Sequence, residues 1–247
     1  MRYLILSDIH ASLTALDAAL AAAQGCWERA VCLGDVVGYG PDPNEVVDRI
    51  RALGAQTIRG NHDKACSGLE NAEDFNPVAR EVALWTRAQL KPENLEWLQN
   101  LAPGPLEVDG FAIVHGAVHD EDEYVFAPTQ ALDSLLDAPR ALTFFGHTHM
   151  QGGFSMQENQ VQILRVRPAA GSNAATLVLR KGMQYLLNPG SVGQPRDGDP
   201  RAAFAIADAE GQAVEFWRVP YDIASVQKRM EEANLPEALI QRLGFGR

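Results

Sequence analysis

The chain has 247 residues, 46% of them hydrophobic, and a net charge of −11, which suits one domain, with room for an insertion, around a sizeable core. That charge leaves no basic stripe to release phosphate counterions, so a general nucleic-acid binder is excluded and a nuclease is disfavoured. Three cysteines without a C-x-x-C pair argue against a disulfide framework and fit a reducing cytoplasm, and no run of about 18 apolar residues is present to span a membrane.

The first third of the chain alternates strand and helix. Residues 2–7 read as a buried strand, and its apolar run Tyr3-Leu4-Ile5-Leu6 is too short for a signal-peptide core and meets Asp8 at once. Leu13, Leu16 and Leu20 mark an amphipathic helix reaching Gln24. Residues 30–33 read as a second strand, 43–53 as a second helix ending near Gly54, and 56–59 as a third strand. Such alternation predicts a parallel sheet with right-handed crossovers. Residues 64–105 break the rhythm. Asn76-Pro77 opens a helix carrying Val78, Val82, Trp85 and Leu90, Lys91-Pro92 interrupts it, and a short helix with Leu95, Trp97, Leu98 and Leu101 follows. This stretch reads as a helical, lid-like insertion in a single domain spanning 1–247, with two ordinary packing helices as the alternative. Strands resume at 106–108 and 111–115, flanking the hairpin signal Asp109-Gly110. A helix at 132–136 and a buried strand at 141–145 come next. Antiparallel strands are predicted at 161–167, 174–180, 183–187, 202–208 and 212–219, with turn signals at Lys181-Gly182 and Glu210-Gly211, and then a helical tail over 221–243.

Polar motifs fall where the apolar runs end. They read Asp8-Ile9-His10, Gly34-Asp35, Gly60-Asn61-His62-Asp63, Val114-His115-Gly116 and Gly146-His147-Thr148-His149. In an open α/β sheet the loops at the carboxyl ends of strands gather on one edge, so residues far apart in sequence converge there. His, Asp and Asn are nitrogen and oxygen ligands for hard or borderline divalent metals. Asp8, His10, Asp35, Asn61, His115, His147 and His149 make seven side-chain ligands. Seven is too many for one tetrahedral ion, but it suits two ions that share a carboxylate and clamp an in-line displacement at phosphorus. Singly, each has a plainer reading: Asp8 as a helix cap, Asn61 as a turn residue, His115 as a satisfied core histidine. Those readings do not explain all five motifs at once. His119 falls outside the pattern and reads as a loop histidine, and Cys66 as a small, partly buried thiol.

In this order the motifs resemble those of the calcineurin-like metallophosphoesterase superfamily: D-x-H, G-D, G-N-H-D/E, a lone H, then G-H-x-H, all intact over residues 8–149. The resemblance extends to the compact prokaryotic branch of phosphodiesterases and diadenosine tetraphosphatase-like enzymes. It implies an α/β (α+β) fold, a two-sheet αββα sandwich flanked by helices. It implies that Asp8, His10 and His149 bind one metal, that Asn61, His115 and His147 bind a second, and that Asp35 bridges them. His62 would sit over the phosphate, stabilising charge or protonating the leaving oxygen. The ligands suit two divalent ions, Mn²⁺ first, with Fe, Zn²⁺, Ni²⁺ or Mg²⁺ also compatible. The stretch from Asn188-Pro189-Gly190 to Arg196 resembles that compact branch and, with residues 197–201, covers a loop that the resemblance puts beside the active site, so Arg196 or Arg201 would contact substrate phosphate. A purely structural turn is the alternative.

One departure bears on function. Protein serine/threonine phosphatases of the superfamily carry G-D-x-V-D-R-G at the second motif, where this chain reads Gly34-Asp35-Val36-Val37-Gly38-Tyr39-Gly40. Gly38 replaces the acid that supports the catalytic histidine, and Tyr39 replaces the phosphate-gripping arginine. That weakens a protein-phosphatase reading and leaves the group that orients His62 unassigned. The expectation is a dinuclear metal-dependent phosphoesterase in which a metal-bridging hydroxide attacks a phosphodiester, nucleotide or dinucleoside polyphosphate. A non-catalytic protein-interaction scaffold, like the retromer subunit that shares the fold, would tolerate loss of ligands that are all present here. The expected partner is a small phosphorylated substrate, with neither nucleic acid nor membrane. The late antiparallel hairpins leave room for a homo-oligomer.

Overall fold

The computed structural model describes residues 1–247 except 170, 209 and 211. Its first elements follow the alternating pattern: β1 (Arg2–Leu6), α1 (Leu13–Ala22), β2 (Arg29–Cys32), α2 (Pro43–Ala52) and a short β3 (Gln56–Thr57). Proline opens α2, where its preset φ helps and its missing N–H is not needed. Three helices follow, α3 (Asn61–Ser67), α4 (Pro77–Gln89) and α5 (Pro92–Gln99). Asn76 caps α4, its Oδ1 accepting from Ala79 N at 3.0 Å. β4 (Leu106–Val108) and β5 (Phe111–Ile113) then pair antiparallel across Asp109-Gly110. The remainder runs α6 (Pro128–Asp137), β6 (Leu142–Phe144), β7 (Gly152–Gln157), β8 (Gln160–Leu164), β9 (Ala174–Val178), β10 (Gln184–Asn188), β11 (Ala202–Asp208), β12 (Ala213–Val219), α7 (Ile223–Glu232) and α8 (Glu237–Arg242). The helical tail is thus two helices, broken where Asn234 adopts a φ of 55° just before Pro236.

The strands form two six-stranded sheets, ordered β3-β2-β1-β11-β12-β9 and β4-β5-β6-β10-β7-β8. β1, β2 and β3 are parallel as the alternation predicts, but β11 joins β1 antiparallel, so the sheet is mixed. The late strands do not form one antiparallel set either. β9, β11 and β12 complete the first sheet, while β7, β8 and β10 complete the second, where β10 lies parallel to β6. The Lys181-Gly182 turn, with Gly182 at φ 84°, therefore carries the chain between sheets instead of closing a hairpin. The Glu210-Gly211 signal falls between the antiparallel β11 and β12, with Gly211 outside the described residues. β7 has no counterpart among the predicted strands. Gly152-Gly153 dilute its strand character, and its turn into β8 uses Glu158 and Asn159 at φ 51° and 60°, a left-handed pair suited to a two-residue hairpin.

Alternation along the strands builds the layers. On β1, Tyr3 and Ile5 face the second sheet and pack in a core with Phe111, Phe144, Tyr185 and Phe216. Leu4 and Leu6 face the other way, into a core with Leu16 of α1 and Val46 and Ile50 of α2. Both faces of the strand are covered, which is why it reads as a continuous apolar run. Behind the second sheet, Ala131 and Leu135 of α6 pack on Phe154 and Leu186. The order helix, sheet, sheet, helix is the αββα sandwich. Ala83 of α4 and Leu98 of α5 join the core under the first sheet, while Ala79 and Val82 pack against Val226, Met230 and Leu239 of the C-terminal helices. Among the described residues no helix is long and apolar enough to cross a membrane. Cys26, Cys32 and Cys66 are free thiols.

Candidate metal centre

The parallel strands of both sheets deliver the five motifs to one edge. Asp8 N donates to Gly34 O at 3.1 Å and His10 N to Asp35 O at 2.9 Å, so the loops after β1 and β2 run side by side. Gly146 N donates to His115 O at 2.8 Å, joining the loops after β5 and β6. His147 N then reaches across the sandwich to Asp8 Oδ1 at 3.1 Å. The loop after β10 closes over the same place, with Ser191 Oγ donating to Asp8 O at 2.7 Å.

Two overlapping groups of donor atoms result, Asp8 with His10, Asp35 and His149, and Asp35 with His115 and His147. Within each group the ligand atoms lie within 4.8 Å of one another. Asp35 belongs to both. Its Oδ1 accepts from His62 N, at the first turn of α3, at 2.8 Å. Its Oδ2 is buried without a hydrogen-bond donor among the described residues and stands 3.6 Å from His10 Nε2 and 3.5 Å from His115 Nε2. A buried carboxylate oxygen left this way is expensive unless a cation meets it. Asn61 joins the second group, its Oδ1 3.2 Å from His115 Nε2.

Each of the four clustered histidines has one ring nitrogen held by a main-chain carbonyl. His10 Nδ1 donates to Val37 O at 3.2 Å, His115 Nδ1 to Leu33 O at 2.8 Å, His149 Nδ1 to Gln194 O at 2.6 Å and His147 Nε2 to Asp122 O at 3.1 Å. These bonds fix each ring's tautomer and turn the other nitrogen inward, as around metal ions. His10 Nε2 and His149 Nε2 consequently face each other at 3.1 Å with a lone pair on each. Two acceptors at that distance fit a shared cation, and the nitrogen and oxygen donor set fits a borderline divalent one. The residues present therefore suit divalent metals.

The backbone is strained here as well. Asp8, His10, Asp35, His147 and His149 all have φ between 48° and 63°. Such conformations cost about 1–3 kcal/mol each for non-glycine residues and gather at functional sites. The electrostatics are equally uneven. Burial pushes the Asp8 carboxyl up to about 6. Burial opposes ionisation of Asp35 too, but the surrounding histidines, His115 first, hold it well below the usual carboxylate range. At His115 burial favours the neutral ring, yet Asp35 outweighs it and raises the imidazole to about 10.

His62 differs from the other four. Its ring packs on Tyr39, Phe75 and His10, with centroids 4.3, 4.8 and 4.9 Å away. Its Nδ1 is buried with no partner among the described residues, and a Cβ at position 38 would stand 2.6 Å from that atom. Packing, not an acid, orients the ring, and Gly38 is what makes room for it. Burial lowers the imidazole to about 4.

Several neighbours have roles that motif reading does not assign. Asp63 accepts from Gly60 N at 3.0 Å and from Val37 N at 3.2 Å, tying α3 to the loop after β2. Buried Lys64 meets Asp122 at 2.6 Å, Glu70 at 2.9 Å and Glu121 at 3.1 Å, which offsets part of the charge of that acidic group. Tyr124 stacks on His147 with centroids 3.8 Å apart. Nothing local marks Lys64, Phe75 or Tyr124, since tertiary packing alone brings them in. Arg196 is beside the cluster, its N donating to His149 O at 3.2 Å. Arg201 is held by Asp199 at 2.6 Å and is not brought to the histidines. His119 is exposed and pairs with Glu123 at 2.9 Å, and Cys66 faces the core under the first sheet. A pocket of about 360 Å³ opens on the centre between Tyr39, His62, Phe75, Asn61, Tyr124 and His147. A larger groove of about 900 Å³ between α1 and α2 shares no residue with it.

Comparison with known proteins agrees with this geometry. The family model of the calcineurin-like phosphoesterase superfamily domain matches residues 1–212. An uncharacterised protein of Methanocaldococcus jannaschii is 34% identical over 259 aligned residues, covering 98% of this chain and 97% of that one. The crystal structure of a metallophosphoesterase from Sphaerobacter thermophilus is similar at a TM-score of 0.84 and 39% identity, over 100% of this chain and 99% of that one. A hypothetical protein from Pyrococcus horikoshii OT3 shares the fold at a TM-score of 0.80 and 21% identity, over 100% of this chain and 98% of that one.

Proposed function

The chain belongs to the calcineurin-like phosphoesterase superfamily, and from that premise we propose that it is a two-metal phosphoesterase acting on a small phosphorylated substrate, whether a phosphodiester, a nucleotide or a dinucleoside polyphosphate. Asp35 carries this reading: one carboxylate shared by two groups of donors, with an oxygen that no donor among the described residues satisfies. Asp8, His10 and His149 would hold one ion, Asn61, His115 and His147 the other, with Asp35 between them. Mn²⁺ is the first candidate on donor chemistry. Two divalent ions supply Lewis acidity, lowering the pKa of water and neutralising phosphoryl oxygens.

The chain's own residues supply the rest. The carbonyls of Leu33, Val37, Asp122 and Gln194 hold the rings in place, so the donors need no reorganisation when substrate arrives. His62 offers a ring N–H to a phosphoryl oxygen or to the departing one. Arg196 adds guanidinium charge at the same edge. Phe75, in the segment before α4, packs on His62 and lines the pocket, which supports a lid-like role for the 64–105 segment. The free thiols suit a reducing cytoplasm. With Mn²⁺ present the protein is expected to cleave bis-p-nitrophenyl phosphate or p-nitrophenyl phosphate. Failure on both, and on a nucleotide panel, with Mn²⁺, Fe²⁺, Zn²⁺, Ni²⁺ and Mg²⁺ alike would overturn the reading.

A further inference from the structure

Two arginines stand at the edge of the centre with no carboxylate partner among the described residues. The guanidinium of Arg196 lies 5.8 Å from the Tyr39 ring, and that of Arg242, the last residue of α8, lies 4.9 Å from the same ring. Tyr39 in turn touches His62 and His10, at 4.3 and 4.7 Å between centroids. The nearby acids are engaged elsewhere: Asp197 by Arg218, Asp199 by Arg201, Asp122 by Lys64. Arg196 meets the neutral amide of Gln194, at 2.9 Å, and the neutral Tyr124 hydroxyl. Its Nε is buried without an acceptor, and so are Nε and Nη2 of Arg242. Burial and the nearby charge of Arg196 both pull the Arg242 guanidinium below its ordinary value. Unmatched, half-buried like charges oppose folding, and an anion between them relieves both the repulsion and the missing hydrogen bonds.

Arg242 is not loosely placed. Leu239, Ile240 and Leu243 around it share a core with Tyr39, Val226 and Met230. Gln227 Nε2 donates to Ile240 O at 2.8 Å, and Gly198 N donates to Gly246 O at 3.0 Å, which ties the tail to the loop that carries Arg196. The family model ends at residue 212, so this arginine lies outside the part of the chain that the superfamily domain describes. Tyr39 lines the pocket and carries both guanidinium groups over its ring, whereas the charged residues that line the pocket, Glu70 and Asp122, are acidic, so the anionic part of a substrate is drawn toward the arginines.

We propose that Arg242, acting with Arg196, binds a second phosphate of the substrate, next to the phosphoryl group under attack, and so selects substrates with two linked phosphates over simple monoesters. This rests on the phosphoesterase reading of the centre. The group under attack belongs to the metal ligands and His62. Arg242 lies one ring further out, across Tyr39, where a neighbouring phosphate would reach it.

The test is calorimetric binding of methylphosphonate and methylenebisphosphonate to the full-length, Mn²⁺-loaded protein at fixed free Mn²⁺. Neither probe has a phosphoester bond to break, so binding is read without turnover. The expected result is a bisphosphonate preference of at least about tenfold, which Arg242→Met, keeping the apolar stem on Tyr39, brings to within about threefold while leaving methylphosphonate affinity unchanged. Arg242→Lys keeps the charge without the planar fork and is expected to recover part of the preference. No preference in the unaltered protein, a preference that survives both substitutions, or an equal loss for both probes would each overturn the proposal. Turnover of bis-p-nitrophenyl phosphate by the same preparation reports separately on the reaction. If turnover is absent and the preference intact, the phosphoesterase reading fails and the anion subsite stands.

Discussion

Asp35 divides its two oxygens between structure and chemistry. Oδ1 is anchored by the His62 N–H at 2.8 Å, while Oδ2 faces His10 and His115. The same contact sets His62 against the cluster while leaving its ring out of it. His62→Ala is therefore expected to lower turnover about 10²–10³-fold with metal content unchanged, the loss typical of one missing hydrogen-bond donor to the developing charge. Elemental analysis beside steady-state kinetics checks it, and loss of metal would make His62 a ligand instead. Gly38 is the second sensitive position. It sits at φ 89°, and a methyl there meets His62 Nδ1 at 2.6 Å. Gly38→Ala is expected to lower stability by about 1–3 kcal/mol and to depress turnover by displacing the ring. Denaturant unfolding and kinetics read the two effects. At this scale the sequence is informative where a residue follows a strand, as Asp8, Asp35 and His147 do. It is silent on the carbonyls of Val37, Leu33, Gln194 and Asp122 that aim the histidines, because every residue has a carbonyl and only the fold chooses which one.

Elements hold these residues through a few specific ties. Arg218 of β12 is buried, pairs with Asp197, and donates from Nε to Gln151 Oε1 at 3.0 Å and from Nη1 to Asp199 O at 3.2 Å. It therefore pins the loop that carries Gln194 and Arg196 to the first sheet. Arg218→Met leaves Asp197 buried and unpaired and is expected to cost about 3–5 kcal/mol, measured by chemical denaturation. A loss under 1 kcal/mol would mean that Asp197 finds water instead. The strands and helices of the first third are legible because each side chain's period matches its element. α3 is not, since Gly60-Asn61-His62-Asp63 has the composition of a turn, and only burial of the residues after it shows a helix. β9 and β10 illustrate a different limit. Their shared turn is readable, but their assignment to opposite sheets depends on strands far along the chain.

The molecule as a whole joins two sheets whose loops meet at one edge, and neither sheet alone supplies a complete set of donors. Asp8, His10, Asp35 and Asn61 come from the first, and His115, His147 and His149 from the second. Ions bound between them would tie the halves together, so metal should stabilise the folded chain. Free Mn²⁺ at about 100 times its Kd is expected to add about 2.7 kcal/mol and raise Tm by about 5–10 °C, reversed by chelation. A scanning melt with and without Mn²⁺ reads this, and an unchanged Tm would argue against a site spanning the sheets. The convergence itself was legible from the order of motifs, whereas Arg242 and Tyr124 were not, since they reach the centre from elements with no motif of their own. The central claim is a pair of ions flanking Asp35, and anomalous scattering from crystals of the Mn²⁺-loaded protein tests it most directly. The account predicts two peaks, one beside Asp8, His10 and His149 and one beside Asn61, His115 and His147, with Asp35 between them. A single peak, or metal bound away from Asp35, would contradict it.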